Sequence, residues 1–252
     1  MREENTLKKR VKNGEVVLGP FVNLSPPVLI EIAGIAGFDF VIIDMEHGPI
    51  RVETAQTLCM AADGVGLAPI IRVRKNDEAE ILSALDVGAA GVQIPQISTR
   101  EDALHAVKAS KYGPVGERGL SPLTRAWDYS KQRGAAWHNE QTMVIVHVEG
   151  TRGIQNLDEI VAVEGLDVIF LGPYDLSNSL GIPGQVKDPR VVEMMKTAVG
   201  TIRGVGKAVG TFADDPETAR MWIDAGIQYM SISVDNTIYL NACREIVKQV
   251  KV

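Results

Sequence analysis

GFDFVIIDMEHGP, residues 37–49, is the stretch on which the fold turns. Its apolar run, Phe40 to Ile43, stops abruptly on Asp44, and the polar segment Met45-Glu46-His47 follows. Consecutive Val and Ile belong to a strand buried on both faces, as in a parallel sheet. A carboxylate closing such a run is costly unless it is paired or bound. Taking 38–44 as one strand, seven more runs of the same kind lie around it, at 16–22, 69–73, 91–97, 143–149, 167–173, 208–213 and 229–234. Gly, Pro or Asp bounds each of them, as turn chemistry requires.

Segments with helical periodicity alternate with these runs, at 26–36, 52–63, 77–87, 100–111, 155–163, 189–204, 215–225 and 236–249. Strand and helix in alternation give right-handed βαβ units and a parallel sheet. Eight units in 252 residues match the usual length of about 250 for a (β/α)₈ TIM barrel. The fold class is therefore α/β, with 1–252 as a single domain. An open doubly wound sheet would carry a Gly-rich phosphate loop after its first strand. Here Gly19-Pro20-Phe21 opens no GxGxxG, and GxxxxGK[ST] occurs nowhere. Hydrophobic residues make up 45% of the chain but aromatics only 5%, so Val, Ile, Leu and Ala must fill the core.

The net charge is −6, and the longest basic run is Lys8-Lys9-Arg10. That argues against a nucleic-acid partner, which needs a clustered basic face. No apolar stretch approaches the ~20 residues of a membrane span, and the polar start shows no secretory signal. Cys59 and Cys243 are far apart and read as thiols of a reducing compartment, so a cytoplasmic location is expected. One long excursion, 113–142, separates the fourth helix from the fifth strand and carries Arg118, Arg125, Trp127, Trp137 and His138. Segments of this length inside compact domains are usually functional or subunit-contacting. His105 and His138 read as surface residues.

Barrel enzymes work at the C-terminal ends of their strands. Asp44, Arg72 and Glu149 stand there at positions where the strand pattern wants Val or Ile. Glu149 and Asp175 form an acidic pair from adjacent strands. With waters and substrate oxygens they suit a hard cation such as Mg²⁺ or Mn²⁺, or each pairs separately with an arginine or caps a helix. His47, in a loop after a strand, suits a general base or simply bonds its own loop. Arg72 offers a donor fork to a carboxylate or developing oxyanion, or a salt bridge to Asp44. His147, two residues before Glu149, points the same way by strand alternation. Gly172-Pro173-Tyr174-Asp175 opens a helix whose backbone N–H groups seat an anion. No lysine lies on a strand, which disfavours Schiff-base chemistry; Lys75 and Lys207 sit just outside, in contexts that read as solvent.

The segments GFDFVIIDMEHGP, LDVGAAGVQIPQI (85–97), GPVGERG (113–119), VHVEG (146–150), VEGLDVIFLGPYDLSNSLG (163–181) and AGIQYMSISVD (225–235) resemble the HpcH/HpaI aldolase family. These are class II pyruvate-dependent aldolases, among them 4-hydroxy-2-oxoheptanedioate and 2-keto-3-deoxy sugar acid aldolases. The resemblance implies that Glu149 and Asp175 hold a divalent cation (Mg²⁺, Mn²⁺ or Co²⁺), that His47 is the base and that Arg72 stabilises the transition state. It implies that Asp86 raises the basicity of that histidine from a neighbouring subunit, and that His147 and the Tyr174 backbone N–H contact substrate. It further implies a homohexamer, a trimer of dimers with the C-terminal helix exchanged between barrels. Two departures bear on substrate: His147 stands where Gln is usual and Gly150 where Thr or Ser is usual. The loop also reads Tyr112-Gly113-Pro114 where Tyr-Pro-Pro is usual.

The expected reaction is cleavage or formation of a 4-hydroxy-2-oxo acid from pyruvate and an aldehyde. The base takes the C4-hydroxyl proton directly or through a water, and Asp44 orients Arg72 or the metal waters. Phe212 and the 113–142 segment shape the aldehyde pocket. Two rivals stand beside this reading. An acyl-CoA lyase of the citrate lyase β-subunit type would need a basic patch near the mouth. A catalytically silent keto-acid-binding barrel would be expected to lack one of His47, Arg72, Glu149 or Asp175.

Overall fold

The computed structural model describes residues 4–130 and 133–251. Its eight strands are β1 (Val17–Val22), β2 (Phe40–Asp44), β3 (Ala68–Arg72), β4 (Gly91–Ile94), β5 (Met143–Val148), β6 (Val168–Leu171), β7 (Ala208–Ala213) and β8 (Tyr229–Val234). All pair in parallel, each with its sequence neighbours, and β8 closes onto β1, as the alternation of strand and helix predicts. The helices are α1 (Thr6–Lys12), α2 (Val28–Ile35), α3 (Val52–Gly64), α4 (Glu78–Asp86), α5 (Arg100–Ser110), α6 (Ala135–Gln141), α7 (Thr151–Gln155), α8 (Leu157–Val161), α9 (Pro173–Ser179), α10 (Pro189–Gly204), α11 (Pro216–Asp224) and α12 (Asp235–Val250).

Strand parity divides the core in two. Val41, Ile43, Val92, Ile94, Val144 and Val146 face outward and pack under the helices. Phe40, Ile42, Ile70, Ile145, Phe170 and Tyr229 fill the barrel interior. The interior is tight enough to demand glycine on the wall. A Cβ on Gly19 would lie 2.2 Å from the Phe40 carbonyl oxygen, and one on Gly91 would lie 2.5 Å from that of Met143. Because side chains alternate along a strand, the inward set Phe40, Ile42 continues to Asp44. By the same count Ile70 leads to Arg72, and Ile145 to His147 and Glu149. The polar residues at the strand exits thus project into the barrel mouth.

The helices begin where local chemistry tells them to. Thr99 and Asp102 form a reciprocal capping box on α5, satisfying N–H groups that the helix leaves unpaired. Asp77 caps α4, and Asp188 and Asp215, each followed by Pro, cap α10 and α11.

Three elements differ from the sequence expectation. α1 was not foreseen, because a seven-residue helix carrying Lys8-Lys9-Arg10 reads as solvated surface. Yet it plugs the N-terminal end of the barrel: Leu7 and Val11 join the interior cluster. The Asn5 side chain fixes it, donating to the carbonyls of Ala90 (2.8 Å) and Gln141 (2.7 Å). The segment 113–142 contains a helix, α6, which packs His138 inward; and in place of one helix over 155–163 there are two short ones, α7 and α8, that meet at Asn156. Cys59 lies buried on α3, and Cys243 lies half-buried on α12. Lys207 is half-buried rather than solvated, donating to the Leu166 carbonyl. α12 buries none of its residues, and Ile238, Tyr239, Leu240, Ile246 and Val247 stand exposed on it. Among the described residues, no helix is long and apolar enough to cross a membrane.

Candidate active site

A pocket of about 450 Å³ opens at the C-terminal mouth of the barrel, lined on one side by Asp44, His47, Arg72, His147, Glu149 and Asp175. Asp44 and Arg72 end neighbouring strands in direct register. The Arg72 guanidinium donates two bonds to the Asp44 carboxylate, Nε to Oδ1 at 2.8 Å and Nη2 to Oδ2 at 2.7 Å, with Asp44 buried and Arg72 half-buried. Its third nitrogen, Nη1, lies 3.2 Å from Glu46 Oε2, and the plane rests over the Phe21 ring. Asp44 Oδ1 also accepts the backbone N–H groups of Glu46 and His47 at 3.0 and 3.3 Å. Asp44 therefore holds both the arginine and the loop that carries the histidine.

Glu149 lies one residue beyond β5. Its Oε1 accepts the Gln96 backbone N–H at 2.8 Å, and its Oε2 lies 2.9 Å from His147 Nδ1. With the His147 proton on Nδ1, Nε2 is left to accept from the Gln93 amide. The Tyr229 hydroxyl in turn donates to Gln93 Oε1 at 3.3 Å. Gln93, His147 and Tyr229 are all at most 1% exposed, so this relay runs through the barrel interior, with His147 stacked on Phe170. Glycine is required opposite: a Cβ on Gly172 would approach Glu149 Oε2 to 3.0 Å and its Cβ to 2.7 Å. Burial works to raise the Glu149 pKa, but His147, the Gln96 N–H and Arg72 outweigh it and hold the carboxyl below its ordinary range.

Asp175 is a first-turn residue of α9, behind Pro173, and lines the same pocket. The first backbone bond of that helix runs from Leu176 N–H to the Gly172 carbonyl. Glu46 completes the acidic group. Burial pushes its pKa up to about 7 against the pull of Arg72, with Glu149, Asp44 and Asp175 adding repulsion. Asp44 and Glu46 thus pair with Arg72, Glu149 feels its charge, and Asp175 adds to the acidic surroundings of Glu46. Among the described residues, no group of three or more His, Cys, Asp or Glu side chains is arranged to hold a metal ion.

The opposite wall is aromatic. Phe212 lies between Phe21 and Tyr174, with ring centroids 5.9 and 6.1 Å away. The Tyr174 hydroxyl donates to the Asp214 carboxylate at 2.9 Å. Burial, followed by that carboxylate, pushes the phenol up to about 12.

Asp44, His47, Arg72, His147, Glu149, Tyr174, Asp175 and Phe212 thus come together from the sequence set. Asp86 does not join them within one chain. It ends α4 and accepts from Arg118 Nη2 at 2.6 Å, beside a second cavity. Arg125 lines that cavity too, bonded to Asp63. His138 corrects the surface expectation: it is buried there against Trp127, Tyr112 and Trp137, and burial lowers its pKa to about 4. His47 keeps an exposed imidazole, with Glu46 Oε2 3.9 Å from its Nε2. The sequence reasoning missed Glu46, Gln93 and Asp214. For Glu46 the D-x-E-H spacing was a signal, since both acids flank a strand exit. For Gln93 the signal was an inward parity position otherwise given to apolar residues.

Residues 18–242 match the model of the family described as HpcH/HpaI aldolase/citrate lyase. The chain is 34% identical over 240 residues to the 2-keto-3-deoxy-L-rhamnonate aldolase of Escherichia coli strain K12, covering 94% of this chain and 90% of that protein. It superposes with a TM-score of 0.94 on the structure of an HpcH/HpaI aldolase/citrate lyase family protein from Burkholderia cenocepacia J2315, at 33% identity over 98% of this chain and 100% of that one. The structure of citrate synthase SbnG matches with a TM-score of 0.87 at 35% identity, covering 97% of each chain. On sequence and fold together, the chain belongs to the HpcH/HpaI aldolase/citrate lyase family.

Proposed function

We propose that this protein is a divalent-metal-dependent aldehyde-lyase that cleaves or forms a 4-hydroxy-2-oxo acid from pyruvate and an aldehyde. The observation that carries the reading is the pocket that brings Asp44, Glu149 and Asp175 together with Arg72 and His47. That donor set fits a hard cation: two carboxylates, Glu149 and Asp175, would hold it, and an open pocket leaves room for water and substrate oxygens. Mg²⁺, Mn²⁺ or Co²⁺ are the candidates. Bound there, the cation would supply Lewis acidity toward the 2-oxo group.

The chain's own residues do the rest. Arg72, pinned by Asp44 and Glu46, holds its donors rigid toward the oxygen on which enolate charge develops, so little reorganisation is needed. His47 takes the C4-hydroxyl proton in the cleavage direction. The C3–C4 electron pair passes to C3 of the pyruvate fragment, the aldehyde leaves, and C3 is then protonated. His147 keeps Glu149 oriented, and the Tyr174 backbone N–H, in the first turn of α9, would take the substrate carboxylate. Asp86 would reach His47 only from a neighbouring subunit. The apolar side chains left bare on α12 support a homohexamer in which that helix covers a second barrel.

The test is exchange of pyruvate methyl protons with deuterium, followed by proton NMR after quenching. Exchange with Mg²⁺, Mn²⁺ or Co²⁺, lost in excess EDTA and in Glu149→Ala, is the expected result. Undiminished exchange in EDTA would refute the metal role, and none with any of the three cations would refute the aldolase. The acyl-CoA reading finds less support. Arg72 is the sole Arg or Lys lining the mouth among the described residues, while Arg118 and Arg125 lie in the second cavity. A silent binder is disfavoured because all four residues it would be expected to lose part of stand together.

A further inference from the structure

The pocket is lopsided in a way that bears on the aldehyde. One half carries the carboxylates, Arg72 and His47. The other is built from Phe21, Phe212, Tyr174 and Val234, with Asp214 at its rim. The aromatic side chains brace one another edge to face, Phe21 against both Phe212 and Phe170. Tyr174 is fixed at both ends, by Phe212 at its ring and by Asp214 at its hydroxyl.

Charge sharpens the point. A carboxylate moved out of water needs a compensating donor or cation. Asp44 and Glu46 engage one N–H on each nitrogen of Arg72, and the two N–H groups left are those committed to the enolate oxygen. Lys187 lies in a shallow groove beyond Asp214, but it is three-quarters exposed and sits 3.6 Å from Asp215. Arg72 stands over Phe21 at the boundary of the two halves, but on the Tyr174 side the charge in contact is Asp214, which repels an anion.

We propose that the acceptor half of this site takes an uncharged aldehyde bearing an apolar or aromatic group, and discriminates against aldehydes carrying a carboxylate. This rests on the aldolase reading above and narrows it. The aldehyde substituent packs on Phe212 and Tyr174, and a hydroxyl on it has Asp214 to donate to.

Butanal and succinic semialdehyde make a direct comparison, since they differ by a terminal methyl against a carboxylate. With pyruvate and Mg²⁺, kcat/KM for aldol addition is expected to favour butanal by about tenfold or more, with benzaldehyde also accepted. Phe212→Ala should lower kcat/KM for both uncharged aldehydes by about tenfold. Asp214→Asn should move the ratio toward succinic semialdehyde by at least about threefold. Equal use of the two aldehydes, or preference for succinic semialdehyde, overturns the proposal. So does an unchanged ratio in Asp214→Asn. Deuterium exchange into pyruvate in the same preparation separates the two layers. Exchange together with a preference for the carboxylated acceptor refutes this inference alone, whereas no exchange refutes the aldolase reading and this inference with it.

Discussion

Replacing Glu46 by glutamine should make the metal-free protein more stable at alkaline pH, not less. Glu46 is half-buried beside Arg72, and its pKa is raised from 4.5 to about 7, first by burial and then, against Arg72, by the neighbouring carboxylates. In the unfolded chain it titrates near its ordinary value. Between those two pH values the folded state therefore holds the extra proton. Its contribution is fully present below about 4.5 and is lost as pH rises through about 7. At about 1.4 kcal/mol for each pH unit between the two values, ionisation costs the folded state about 3 kcal/mol. The carboxylate is only partly buried, beside the exposed His47 imidazole, so solvent screening reduces this to about 1–2 kcal/mol. For a chain of this size that corresponds to about 2–8 °C in apparent Tm. Glutamine preserves the shape and keeps an oxygen for Arg72 Nη1, but never ionises. The assay is thermal unfolding of both proteins in excess EDTA from pH 5 to 8.5. The curves should coincide near pH 5 and diverge above pH 7, with the variant higher. Mg²⁺ should close the gap, because a cation among the carboxylates removes the repulsion. Parallel curves across the range, or a variant that is less stable at pH 8.5, would show that the acidic cluster is not strained as described.

Three further outcomes follow from the geometry. His147→Leu removes the N–H that orients Glu149 and strands the Gln93 amide; Mg²⁺ or Mn²⁺ affinity by calorimetry should fall about 10–100-fold, and unaltered affinity would separate the relay from the metal site. Gly19→Ala places a Cβ 2.2 Å from the Phe40 carbonyl oxygen in the barrel wall; a loss of about 3 kcal/mol or more is expected in urea unfolding, and a normal midpoint would contradict the packing of β1 on β2. Tyr239→Asp with Ile246→Asp alters only exposed positions of α12, so the isolated barrel should change by less than about 0.5 kcal/mol per site. In sedimentation velocity the double variant should nevertheless shift from hexamer to a smaller species, and an unchanged species would argue against helix exchange.

How far the site could be read in advance depended on what each residue's position owed to its neighbours in sequence. Asp44, Arg72, His147 and Glu149 were legible because a period-two strand fixes direction: once Phe40 and Ile42, or Ile145, face inward, so must the polar residue two or four places on. Asp86 took its role from the family resemblance alone, and within one chain its carboxylate is held by Arg118. His138 was misread because a seven-residue helix gives too little periodicity to tell its buried side, and its burial comes from Trp127 and Tyr112, distant in sequence. Glu46 failed for another reason. A charged loop residue defaults to solvent, and only the third nitrogen of Arg72, from a different strand, draws it in. Yet part of that loop was written locally. An aspartate accepting the backbone N–H groups two and three residues ahead bends the chain into an Asx turn, as Asp44 does with Glu46 and His47. One side chain at the strand end therefore does three things: it ends the strand, folds the loop and clamps Arg72. That makes Asp44 the residue through which fold and chemistry are joined. Asp44→Asn, which cannot accept from all of these donors at once, should disorder the His47 loop and the arginine together, where a change at His47 alone leaves Arg72 in place.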